Sequence, residues 1–247
     1  MSSGSRGASG GRPPVGRLGL VALFVTALVT AQLAAAKVLE IGLPFELPLI
    51  GAAILVPGGV LAYSVTFFAS DCYVELYGRR EATLMVNVGF LMNFVMLGLV
   101  WFALAMPIAP AGITPATQAE FAAVMQAGTA VVAGSLLAYL VSQNWDVFAF
   151  EWLRNQTDGR HLWVRNLGST ATSQAIDTVI FITVAFAIGP WLLAGESFPP
   201  LELLVGLILG QYLAKIVIAV GDTPFVYAFV RYVRETEFVS PRPVSGR

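Results

Sequence analysis

Residues 82–106 read ATLMVNVGFLMNFVMLGLVWFALAM, with no charged side chain among them. A helix of about 20 apolar residues crosses a hydrocarbon core about 30 Å thick, so this stretch can span one with turns to spare. Comparable apolar runs recur at 18–36, 121–147, 166–192 and 201–220. Composition agrees: hydrophobic residues make up 57% of the 247 and charged residues 12%, and the mean hydropathy is +0.75. A soluble domain carries about 25% charged residues. This chain has too few to coat a water-facing surface, so its solvent is lipid.

Upstream of the quoted stretch, Pro57 fits the first position of a helix, where its missing N–H costs nothing, and that helix is expected to run to about Tyr77. Before it, the β-like runs Val38–Ile41 and Ala52–Val56 flank Pro44 and Pro48 and are expected to pair as a short hairpin near the outer face. Leu18–Ala36 forms the first helix. Its Ala34-Ala35-Ala36 ending also fits a secretory leader, but 19 residues exceed the 7–15 of a leader's apolar core. Downstream, a fourth helix is expected over Phe121–Val147, followed by an amphipathic stretch, Phe148–Arg154, and an Asp158-Gly159 turn. A fifth helix covers Asn166–Leu192, and a sixth runs from Leu201 to about Val220 or on towards Tyr232. The reading is an all-α integral membrane protein of six transmembrane helices, with a domain at 18–236 between disordered tails at 1–17 and 237–247.

Basic residues orient the bundle, because Lys and Arg concentrate in cytoplasmic loops. Arg6, Arg12, Arg17, Arg79, Arg80, Arg154, Arg160, Arg165, Arg231, Arg234, Arg242 and Arg247 fall on one side, 12 of the 14 cationic residues. Only Lys37 and Lys215 lie elsewhere, which sets both termini in the cytoplasm. Asp71…Arg79, Asp146…Arg154 and Asp222…Arg231 close the three descending helices in the same way. Either a triplicated hairpin or a shared interface rule accounts for that repetition. The lone cysteine, Cys72, closes no intramolecular disulfide.

Polar groups inside such spans need a reason. An ionisable side chain at mid-bilayer costs on the order of 2.5–3.5 kcal/mol by insertion scales, so it faces a bundle interior or a pathway. In the fifth helix, Thr170, Ser173, Gln174, Asp177 and Thr178 share one face. Asp177 lies about 16 Å beyond Asn166 along that helix, near the midplane. Ser and Thr there can be interhelical glue, but a carboxylate points to function. In the sixth helix Gln211 and Lys215 share a face; Lys215 either neutralises Asp177 or acts as a gate or proton-linked switch. Gly206…Gly210 is a GxxxG pattern, expected to let another helix approach. Asp71 and Glu75, like charges at i and i+4, call for a cation or an aqueous cavity, or else form a solvated helix end beside Arg79 and Arg80. Gln143, Asn144, Trp145 and Asp146 cluster near the cytoplasmic boundary, where amides beside an indole offer a binding surface. Asn87 and Asn93 are read as packing residues. No Walker A loop or HExxH occurs, and His161 is the sole histidine, so no metal, cofactor or enzyme activity is expected, and no nucleic acid partner.

Ser70-Asp71-Cys72-Tyr73-Val74-Glu75-Leu76-Tyr77-Gly78, after Pro57-Gly58-Gly59, resembles the helix-two signature of the queuosine precursor transporters, also called the vitamin uptake transporter (VUT) family. A second block is similar as well: Ser142 through Val147, Thr157-Asp158-Gly159-Arg160, Leu162-Trp163, Arg165-Asn166, Ser169-Thr170, Ser173-Gln174 and Asp177-Thr178. The resemblance covers roughly residues 20–235. It implies six helices in the cytoplasmic membrane and uptake of a 7-deazaguanine, such as preQ0 or preQ1, for modified tRNA nucleosides.

On that implication, Asp177 with Gln174 and Ser173 reads the guanine-like edge, and Gln143, Asn144 or Trp145 completes it. Asp71, Glu75, Lys215, Gln211, Arg165 and Asn166 then belong to the pathway or to coupling. Two alternatives remain: a substrate-binding subunit like the S components of energy-coupling-factor transporters, and a scaffold that binds another membrane protein. A homo-oligomer is compatible with all three.

Overall fold

The computed structural model describes residues 15–47, 51–110, 113, 116–157 and 162–236, except the side chains of Leu47, Arg154 and residues 162–167. The tails 1–14 and 237–247 and the Asp158-Gly159 turn lie outside the described residues. The chain is mostly helical with one small sheet: α1 (Val15–Ala34), β1 (Val38–Leu47), β2 (Gly51–Pro57), α2 (Val60–Tyr77), α3 (Arg79–Ala105), α4 (Gln118–Gln156), α5 (Leu162–Thr183), a π-helical turn (Val184–Ile188), α6 (Gly189–Ala194) and α7 (Leu201–Thr236).

Among the described residues, five helical runs are long and apolar enough to cross a membrane: α1, α3, α4, α5 continued through α6, and α7. The chain is therefore a multi-pass membrane protein. The segment expected as a further span is a helix, α2, at 18 residues, but it is not among those five. Asp71, Glu75 and several hydroxyl-bearing residues dilute its hydropathy, and it packs against α1, α3 and α7. Its buried face, Ala69, Cys72, Tyr73 and Leu76, meets Leu20, Phe24 and Leu28 of α1, Ala82 and Met85 of α3, and Val230 and Val233 of α7 in the main core. The outward side of α3, by contrast, exposes Leu84, Val88, Leu91, Val95, Leu99 and Phe102. That stripe has helical period and suits lipid.

The expected hairpin forms, antiparallel, with Val38 opposite Pro57, Glu40 opposite Leu55 and Gly42 opposite Ala53. Its register breaks between Gly42 and Leu47, the stretch holding Pro44, which has no N–H to give a ladder. Pro57 therefore ends β2 and does not start α2. The helix begins at Val60, after Gly58-Gly59. Gly58 donates its N–H to the Lys37 carbonyl, and a Cβ on Gly59 would collide with the backbone of Ala31. This glycine pair lets the start of α2 lie directly on the end of α1. The hairpin's base is also buried, with Val56 and Pro57 fully inside.

Other boundaries move for local reasons. Gly78, at φ 88°, is the whole connection between α2 and α3, a conformation glycine adopts at no steric cost, so α3 starts at Arg79 and not at Ala82. Helix α4 starts before Phe121 because Thr117 and Glu120 form a capping box: Glu120 N–H donates to Thr117 Oγ1 at 3.3 Å and Thr117 N–H to Glu120 Oε2 at 2.8 Å. It then runs through the stretch 148–154, expected to be separate, to Gln156, about 58 Å in all. Within the fifth run, Pro190 cannot donate to the carbonyl four residues back, and the π turn directly before it lets the helix continue. The GxxxG glycines of α7 meet a strand, not a helix: a Cβ on Gly210 would strike the Leu55 backbone of β2.

Candidate functional site

The bundle closes around a polar pocket. Helix α5 brings Asp177 and Phe181 to it, and α7 brings Gln211 and Lys215, one turn apart. Helix α4 contributes Val131, Ser135, Ala138 and Tyr139. Gln32 of α1, Tyr63 of α2, Phe90 of α3 and Pro57 at the hairpin's base complete the wall. Every long helix thus supplies at least one side chain.

Lys215 Nζ lies 2.5 Å from Asp177 Oδ2, with the lysine side chain 6% exposed and the aspartate 17%. Ser142 Oγ donates to the other carboxylate oxygen at 3.4 Å. In so little water the two opposite charges compensate each other, and removing either partner would strand a charge in a medium that solvates it poorly. Around this pair lie neutral hydrogen-bonding groups. Ser135 Oγ donates to Gln32 Oε1 at 3.2 Å, joining α4 to α1. Gln211 Oε1 is buried with no partner among the described residues. Aromatic rings flank the space, with Phe90 and Tyr139 stacked obliquely at 4.3 Å between centroids. The cavity volume is about 50 Å³. That is room for a few waters at ~10–15 Å³ of such volume each, so a fused ring enters only if the walls part.

The residues singled out from the sequence divide. Asp177, Lys215 and Gln211 converge on the pocket. Ser173 turns instead towards α4, its Oγ donating to Asp146 Oδ1 at 3.2 Å. Gln174 is half-buried and outside the pocket wall. Gln143 and Asn144 are exposed, and Asn144 Nδ2 donates back to the Leu140 carbonyl of its own helix at 2.6 Å. Trp145 is exposed as well, with its Nε1 donating to Thr172 Oγ1 at 3.0 Å. The side chains of Arg165 and Asn166 lie outside the described residues.

Asp71 and Glu75 line a different cleft, between α2 and the far half of α7, with Thr223, Val226, Tyr227, Val230 and Arg234. There Arg234 Nη2 sits 3.6 Å from Glu75 Oε2 and donates to the Glu75 carbonyl at 3.1 Å, so a cation does face this acidic pair. Of the two asparagines read as packing residues, Asn93 is fully buried and Asn87 is exposed.

Sequence reasoning missed Gln32, Ser135, Tyr63 and Tyr139. For Gln32 the signal was available, since it is the one amide in an otherwise apolar span, and the rule applied to α5 and α7 would have found it. Tyr63 and Tyr139 carry no such mark, because tyrosine is ordinary at membrane interfaces.

Comparison with known proteins places this architecture. Residues 57–229 match the family described as "Putative vitamin uptake transporter". The chain is also 32% identical over 228 residues to a Bacillus subtilis (strain 168) protein named "Probable queuosine precursor transporter", covering 90% of this chain and 88% of that one. No solved structure matches. The matched region opens at Pro57 and takes in α2 through most of α7, and so holds all of the pocket's wall but the α1 face. The chain belongs to the queuosine precursor transporters of the vitamin uptake transporter family.

Proposed function

We infer that this protein imports a queuosine precursor, a 7-deazaguanine such as preQ0 or preQ1, across the cytoplasmic membrane, with both termini in the cytoplasm. The observation that carries the reading is the pocket itself, a buried Asp177–Lys215 pair ringed by amides and aromatic side chains where the helices converge. A deazaguanine is flat, apolar on its faces and polar on one edge, and such a site offers both kinds of contact. The name carried by the Bacillus subtilis relative supports the substrate class, and the placement of arginines supports the orientation.

Asp177 serves as the charged anchor of the site, paired with Lys215 across α5 and α7. Gln174, Ser173, Gln143, Asn144 and Trp145 stand outside the wall of this conformation and act through the α4–α5 interface. The Asp71–Glu75–Arg234 cleft belongs to the cytoplasmic exit.

Thermal melting of the detergent-purified protein with preQ0, preQ1, guanine and adenine tests the reading, because a ligand of the folded state raises apparent stability by mass action. The deazaguanines should raise the melting temperature of the wild type and not that of Asp177→Asn. No shift with any of them at millimolar concentration would overturn it.

A further inference from the structure

Gln211 is 5% exposed and Gln32 is 3% exposed, and both line the pocket. A buried carbonyl left without a donor costs free energy that a native protein does not normally bear for nothing. Gln211 Oε1 is such a group, and it stands on a rigid helix one turn from Lys215. Gln32 is the complement. Ser135 Oγ occupies its Oε1, which leaves the amide nitrogen as the group it has to give. The two amides reach the pocket from different helices, α7 and α1. Asp177 is already engaged by Lys215 and Ser142, so the neutral groups are the ones free to read a neutral edge.

We propose that Gln211 and Gln32 are the specificity-determining residues of this pocket, Gln211 accepting a ring N–H and Gln32 donating to the adjacent carbonyl of a planar lactam. This rests on the reading of the pocket as a heterocycle site and adds which edge it selects. A lactam presents acceptor and donor side by side. An amidine edge of the same shape presents them in reverse order and, against the amide orientations held here, sets acceptor on acceptor and donor on donor. Sites built to hydrogen-bond a ligand reject analogues that cannot answer.

The test uses the full-length purified protein and two probes of one shape, 7-deazahypoxanthine, which carries the lactam, and 7-deazaadenine, which reverses it. Wild type should bind the first at least about tenfold more tightly. Gln211→Met should weaken binding of 7-deazahypoxanthine about tenfold, the loss of roughly one hydrogen bond, and narrow the preference. Its ligand-free melting temperature should equal or exceed that of wild type, since an unmet buried acceptor has been removed. Gln32→Met, a second and independent variant, should narrow the preference in the same way. If both variants keep wild-type affinity and preference, or if Gln211→Met only lowers the ligand-free melting temperature, the proposal is overturned while the pocket stands. If wild type binds neither probe, the heterocycle reading falls with it.

Discussion

At the scale of single residues, the Asp177–Lys215 contact dominates. Burial makes each charge dependent on the other, so Lys215→Met should destabilise the fold by about 3–5 kcal/mol, the range for stranding one partner of a buried pair. Adding Asp177→Asn to that variant should recover much of the loss, because the stranded charge is gone, while binding stays abolished. Chemical denaturation in detergent, run on the two single variants and the double, measures both statements. A double variant no more stable than Lys215→Met would show that the two side chains do not depend on each other.

This pair was one of the two fates the sequence left open for Lys215, the other being a gate or proton-linked switch. A carboxylate and an amine deep in adjacent apolar spans have few fates other than each other, and Gln211 one turn away follows from helical period. The neighbouring amides of 143–144 stand outside the pocket wall for a physical reason. They lie close to Asp146 in sequence, but helical geometry turns Gln143 and Asn144 outward while Ser142 faces Asp177.

At the scale of elements, close backbone approaches set the pocket's floor. Gly210 of α7 lies on Leu55 of β2, and Gly59 lies on Ala31 of α1. Gly210→Val should therefore push α7 off the hairpin and cost about 3 kcal/mol or more, the upper end of what overpacking costs, with substrate binding lost alongside stability. Gly98→Val, where a Cβ meets nothing within 4 Å, should change little. Melting temperatures of the two variants give the comparison, and equal effects would refute the packing argument.

The existence and type of the elements were readable from apolar runs and punctuation, including the hairpin. Their ends were not. The Pro57 boundary depended on a strand partner, Val38, far from any helical signal. The extension of α4 crossed a stretch whose amphipathic pattern does not mark an end of the helix. What the GxxxG of α7 would pack against is a tertiary fact no local pattern carries.

At the scale of the whole molecule, the account requires α2 to cross the membrane along with the five apolar runs, because only an even number of crossings returns both termini to one side. Cys72 is fully buried and is the chain's only cysteine, so introduced thiols report cleanly. Ser5→Cys and Ser245→Cys should both resist a membrane-impermeant maleimide in intact cells and both react after permeabilisation. Labelling of one but not the other in intact cells would mean an odd number of crossings. The overall class and the family were within reach of the sequence. The convergence of every long helix on one pocket was not, because it depends on how the helices pack against one another.

The central claim is that transport runs through the pocket held by Asp177. It is tested most directly by uptake of radiolabelled preQ1 into cells unable to make or otherwise import it, expressing wild type or Asp177→Asn at matched membrane levels. Wild type should accumulate label well above cells lacking the protein, and Asp177→Asn should fall to that background. Uptake by Asp177→Asn at the wild-type rate would contradict the account and place the transport route elsewhere in the molecule.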